Sequence, residues 1–187
     1  MEPKTTLMAS FKGVHGTRVV IVIVLGLLYS GCAVRQPVLR QPVQMQTAFD
    51  PLEHNAYVEP GENSIKGQGF LRQQGGGVVT CAGSQVMMMP ATSIFREAIS
   101  HIRAGKKSEI AEKIDPSLKP ILLKLGQCDA QGNFSFEKLP SGAWFVLTEV
   151  SWVVGNFRQG GTLMREVDLS NDETVQVLLT EKDFVAR

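Results

Sequence analysis

Few side chains in this 187-residue chain could do chemistry, and their spacing restricts what that chemistry could be. There are three cysteines, Cys32, Cys81 and Cys128. The last two lie 47 positions apart, far from the C-x-x-C arrangement of a redox pair. A metal would need further ligands, and His101 is the only histidine beyond residue 62. Met87, Met88 and Met89 offer soft thioethers, but copper-type sites space their methionines and add histidine, so core filling is the expectation. Trp144, Trp152 and Phe157 could build an aromatic platform for a glycan or a peptide. Against that, Phe145 and Leu147 alternate with Trp144 and Val146, which points to a strand buried on both sides and to aromatic residues in the core. The chain carries no H-E-x-x-H, no G-x-S-x-G and no G-x-x-x-x-G-K, and pairs no histidine with a free nucleophilic cysteine. Gly75-Gly76-Gly77 and Gly160-Gly161 read as β-turns rather than nucleotide loops. The expectation is a protein that is not an enzyme, with no cofactor and no bound metal.

The beginning of the chain reads as an address. Lys4, Lys12 and Arg18 precede an uncharged apolar run over 19–28, which closes on Tyr29-Ser30-Gly31-Cys32-Ala33. A basic leader, about ten apolar residues and small residues at a cut site describe a secretory signal. As a helix such a run rises only about 15 Å, roughly half the hydrocarbon thickness of a bilayer. The Ser-Gly-Cys ending resembles a bacterial lipobox, with Tyr29 where leucine is usual. The resemblance implies removal of residues 1–31, acylation of Cys32 and a membrane contact through its acyl chains. Ala33, in place of aspartate after the cysteine, implies sorting to the outer membrane, with the protein facing the periplasm. A plain secretory signal and an uncleaved anchor are the alternatives. With Cys32 acylated, Cys81 and Cys128 form an even pair in an oxidising compartment; a disulfide is expected, two buried free thiols being the other reading.

Composition bounds the partners. The formal net charge is +1, and removing the leader leaves 16 basic against 17 acidic side chains. No clustered positive charge marks a nucleic-acid surface, so nucleic acid is excluded as the main partner. A small-molecule ligand is not expected either; another envelope protein is.

Residues 32–62 read as a flexible Pro/Gln-rich stalk, in which Arg35-Gln36-Pro37-Val38-Leu39 is echoed by Arg40-Gln41-Pro42-Val43. The domain is expected over 63–187, and from Ser64 onward the hydrophobic period becomes two. Strands are expected over 68–71, 77–80, 84–89, 121–125, 143–152, 162–169 and 173–180. One helix is expected over about 92–105: Thr92 or Ser93 can cap it, and Ile94, Phe95, Ala98, Ile99 and Ile102 form a stripe that needs a surface to cover. A weaker helical turn is expected over 109–114.

The segment Asp129-Ala130-Gln131-Gly132-Asn133-Phe134-Ser135-Phe136, followed by Leu139-Pro140-Ser141-Gly142-Ala143-Trp144, resembles the carboxypeptidase regulatory-like, or prealbumin-like, β-sandwich family. That family writes D-x-x-G-x-F-x-F, then L-P-x-G and an aromatic strand. The resemblance implies a mainly β fold for 63–187: a seven- to eight-strand antiparallel sandwich of immunoglobulin or prealbumin type, here with one inserted helix. It implies scaffold or binding work, and it carries over no catalytic residue.

Overall fold

The computed structural model describes residues 43–186, apart from 107, 109 and 171. The leader, Cys32 and the first part of the expected stalk lie outside the described residues. Nine strands are found among those described: β1 (Asn63–Arg72), β2 (Val78–Thr80), β3 (Gln85–Pro90), β4 (Lys124–Gln127), β5 (Asn133–Leu139), β6 (Gly142–Val154), β7 (Phe157–Leu169), β8 (Thr174–Leu179) and β9 (Phe184–Ala186). One sheet has β1 at its centre, with β2, β5 and β8 as partners; the other runs β4-β3-β6-β7-β9. The mainly β sandwich expected from the sequence is the fold observed. Its pairing is antiparallel except that β8 runs parallel to β1, from Ser64↔Thr174 to Gly69↔Leu179.

Period-two patterning builds the core between the sheets. Ile65 and Leu71 from β1, Val177 and Leu179 from β8, and Trp144, Val146 and Val150 from β6 are all buried there. In β5 the period breaks: Phe134, Phe136 and Leu139 all point inward although the last two are three positions apart. The pairing slips between Asn63↔Leu139 and Ile65↔Phe136, and Lys138 takes φ 56°. An extra residue in one strand restores the phase, as a β-bulge does.

The second sheet is covered on its other face by a helical layer, so the sandwich has three layers. Helix α2 (Ser93–Arg103) buries Ile94, Phe95, Ala98 and Ile99, the expected stripe, against Met89, Phe145, Leu147 and Met164. Arg96 ties its exposed side to β7 through a two-pronged pair with Glu166. This layer explains why β3 and β6 are apolar on both faces: Met88 serves the sandwich core and Met89 the helical one.

The covering layer also corrects the stalk. From residue 43 onward the chain is folded onto the domain, with Met45 buried beside α2 and His54 buried at the end of the short helix α1 (Pro51–His54). The physical reason is a set of partners that composition cannot reveal. His54 Nε2 meets Thr92 Oγ1 at 2.9 Å, and its ring stacks on Phe49 at 4.2 Å. Glu53 Oε1 accepts hydrogen bonds from the Ser93 N–H (2.7 Å) and hydroxyl (2.9 Å), so the helix is capped from 40 residues away while the Thr92 hydroxyl is used on His54. Two further expectations change. The strand placed over 121–125 is the end of a helical turn, α4 (Lys119–Leu122), followed by β4; between α2 and α4 lies α3 (Ile110–Lys113). Gly160 and Gly161 lie inside β7 rather than in a turn.

Candidate functional site

The expected site residues fall in different places. Cys81 and Cys128 are bonded, with sulfurs 2.00 Å apart and Cα atoms 5.8 Å apart. Both are buried, and they join the residue after β2 to the residue after β4. Cys81 N–H donates to the Gly69 carbonyl and Cys128 N–H to the Ser84 carbonyl, both at 2.9 Å, so the bridge is built into the frame. Met88 and Met89 are buried and Met87 is half-buried in the helical layer. No group of three His, Cys, Asp or Glu side chains that could hold a metal occurs among the described residues. His101 is half-buried beside Glu97.

The aromatic trio is divided between β6 and the start of β7. Trp144, Trp152 and the residues of like parity lie on the same face of β6, which is a single strand of 13 residues. Trp144 is 0% exposed; its Nε1–H donates to the Pro140 carbonyl at 3.2 Å, and Tyr57 packs edge-on at 5.1 Å. It is core, as the apolar alternation of its strand implied, and takes no part in a platform. Trp152, eight residues on, is only half-buried at the end of the core, and Phe157 is 74% exposed.

What brings Trp152 and Phe157 together is the β6–β7 hairpin. Trp152 is directly opposite Gln159, and Val154 is opposite Phe157, so the four side chains share one face. Gly155 and Asn156 close the ribbon, with Gly155 at φ 59°, the positive φ a two-residue II′ hairpin turn requires at its first position. Lower down, Gly160 sits at φ 94° against the Val150 carbonyl, where any Cβ would collide. On the reverse face Arg158 is held by Glu149 at 2.6 Å and by Ser151 at 2.9 Å.

Across from the aromatic face stands the loop between β1 and β2, closed by Gln73 N–H to the Gly77 carbonyl (2.8 Å) and Gly76 N–H to the Gln73 carbonyl (2.9 Å). Between loop and ribbon lies a groove of about 470 Å³ lined by Gln73, Gln74, Gly75, Trp152, Val154, Phe157 and Gln159. It offers two aromatic surfaces and three uncharged amides, and no ionised side chain lines it. Such a set suits a neutral, hydroxyl-rich ligand: ring faces cover apolar C–H surface while amides donate and accept hydrogen bonds. Sequence reasoning missed the glutamines and the hairpin. The hairpin had a signal, Gly155-Asn156 between two apolar runs. The glutamines had none, because nothing local ties residue 73 to residue 152.

A wider depression of about 670 Å³ lies over the outer face of β5, β1 and β8, lined by Lys66, Gln68, Asn133, Ser135, Gln176 and their neighbours. Its one carboxylate, Asp129, already accepts from Gln131 N–H (2.9 Å) and Asn133 N–H (2.8 Å). The Asn133 side chain first, then these backbone donors, hold its carboxyl below the usual carboxylate range. Asp129 therefore belongs to the turn, and this face lacks an exposed aromatic platform.

No family model matches the chain, and no curated protein matches it. Among solved structures it is similar to a candidate carbohydrate-binding protein from Pseudomonas aeruginosa, at 24% identity and a TM-score of 0.57, over 72% of this chain and 99% of that one. It is also similar to the major pilin subunit of Bacillus cereus, at 11% identity and a TM-score of 0.37, over 65% of this chain and 30% of that one. The first likeness shows a shared β-sandwich fold.

Proposed function

We propose that this is a non-enzymatic, lipid-anchored protein of the bacterial outer membrane, facing the periplasm, whose carboxypeptidase regulatory-like sandwich binds carbohydrate in the groove at the β6–β7 hairpin. The observation that carries the reading is the pairing of Trp152 and Phe157 with Gln73, Gln74 and Gln159 in one uncharged groove. The description of the Pseudomonas protein as carbohydrate-binding agrees with it. The anchor rests on the lipobox-like Ser30-Gly31-Cys32. Tethering suits a weak binder, because holding the module near its ligand raises the effective concentration without any new contact.

The chain contains two tryptophans, and Trp144 is fully buried, so ligand-induced changes in emission report on Trp152. Titration with neutral oligosaccharides should shift the emission of the wild type and leave Trp152→Phe silent. A wild type whose emission no saccharide moves would overturn the reading.

A second reading, a partner protein of the envelope, is favoured by β8. Among the described residues this strand pairs with β1 alone, and Leu178 on it is 53% exposed. An unpaired edge is a template for an added strand. Cross-linking from a photoreactive residue at position 178 in cells would capture such a partner, and its failure to capture any protein would count against this reading.

A further inference from the structure

The hairpin tip has a property that a site for a free saccharide does not need: an exposed apolar side chain stands on each face, Val153 on the reverse one across from Arg158. Val153 projects from one side of the ribbon, Val154 and Phe157 from the other, and they are 69%, 57% and 74% exposed. A sugar lying against Trp152 would cover the second face and leave Val153 in water. These three are among only seven large hydrophobic residues so exposed in the described chain, and they lie within five positions of one another. A surface of that kind marks a contact with something apolar that can surround it.

The path of the tether says what is near. Glu53 binds the start of α2 at Ser93, Gln46 and Thr47 bind Glu97 in its second turn, and Val43 bridges to Ser108 beyond its end. The segment thus runs antiparallel to α2, and the chain enters the domain at the C-terminal end of that helix. Strand β6 travels the same way as the helix: Ala143 accepts from Ala91 N–H just before α2 begins, Leu147 and Glu149 share a cleft with Ile102 near its end, and the tip follows. Tether entry and hairpin tip are therefore at the same end of the domain. Eleven residue steps separate Cys32 from Val43, which fully extended reach about 40 Å. Had the chain been free to residue 62, the reach would be nearly three times greater. With the anchor in a bilayer, the folded strap keeps this end of the sandwich close to that bilayer.

We infer that the groove binds the uncharged sugar headgroup of a glycolipid in the membrane that holds the anchor, with Val153, Val154 and Phe157 entering the boundary between headgroups and acyl chains. This rests on the carbohydrate reading of the groove and on acylation of Cys32. Exposed aliphatic and aromatic side chains are stabilised at that depth, and a tryptophan at the interface has both an apolar ring and a polar N–H to satisfy there. The lack of ionised lining residues selects a neutral headgroup over an anionic one.

The test uses the full lipidated chain reconstituted into phosphatidylcholine vesicles with brominated acyl chains, with or without monogalactosyl diacylglycerol. Bromine quenches tryptophan on contact, and only Trp152 is placed to meet it. Quenching that needs the galactolipid, and is lost in Phe157→Ser and weakened in Val153→Ser, is the expected result; both side chains are exposed, so neither change disturbs the core. Equal quenching with and without the galactolipid would overturn the inference in favour of plain lipid contact. No quenching, together with an emission shift by free galactosides, would overturn it and leave the carbohydrate groove standing. No response to lipid-borne or free sugar would remove both.

Discussion

The Glu97 carboxylate accepts the backbone N–H of Thr47 at 2.7 Å across 50 positions of sequence, and the neighbouring Gln46 N–H at 2.8 Å. One acidic side chain on the outer part of a helix thereby converts a segment with a stalk's composition into part of the fold. Its two donors, with the Thr47 side chain, hold the Glu97 carboxyl down at about 2 against an ordinary 4.5. A carboxylate whose folded value is depressed contributes stability in full above its ordinary value. That contribution fades as pH falls and is gone once pH has passed through the folded value. The amide signals of Gln46 and Thr47 followed by NMR should therefore titrate with a midpoint near 2, not near 4.5. In Glu97→Ala the same amides should lose their protection from hydrogen exchange at neutral pH. Unchanged protection would mean that Met45 and His54 hold the strap unaided.

Opening the Cys81–Cys128 bridge should weaken the sandwich without dissolving it. A loop of 47 residues corresponds to roughly 3–4 kcal/mol in the chain-entropy account. Urea denaturation of a Cys81→Ser/Cys128→Ser variant should show an unfolding free energy lowered by that amount, and groove binding should persist below the transition. Loss of binding in the folded variant would place the bridge in the site.

The two tryptophans should separate cleanly. Trp144→Ala removes a fully buried ring that Tyr57 and Pro140 have positioned, and should cost about 3–5 kcal/mol. Trp152→Ala should abolish the saccharide response and lower stability much less, since Trp152 only borders the core. A pair of thermal melts with sugar titrations decides the matter.

Gly160→Val asks whether the ribbon's path matters. At φ 94° a branched side chain is strained, and its Cβ would meet the Val150 carbonyl. The expected cost is about 1–3 kcal/mol, with weakened saccharide binding because Trp152 and Gln159 sit just beyond the distortion. Full binding affinity in this variant would show that the groove tolerates a shifted ribbon.

The anchor is read by mass. Protein purified from membranes should begin at Cys32, carry the mass of its acyl chains, and gain two hydrogens on reduction. A chain that keeps residues 1–31, or that carries no lipid, would remove the tether and with it the membrane-facing inference.

Much of the frame is local and so could be read without coordinates. The alternation of Phe134 with Phe136, the stripe Ile94, Phe95, Ala98 and Ile99, and the turn in which Gly132 N–H returns to the Asp129 carbonyl at 3.0 Å are all set by residues a few positions apart. The same holds for the apolar character of both faces of β6, which reads as burial on both sides. Where contacts are long-range, composition misled or was silent. The segment 43–62 looked like a stalk because its polar groups find their partners at Glu97, Ser93 and Thr92, and a polar segment reads as free until its partners are known. The parallel pairing of β8 with β1 joins residues 110 positions apart, and no periodicity encodes it. Trp144 and Trp152 share a strand and a face, so sequence spacing could not tell them apart. Only the place where the second sheet ends decides that one is buried and the other borders a groove, and only the β1–β2 loop brings Gln73 and Gln74 to join Gln159 in that groove.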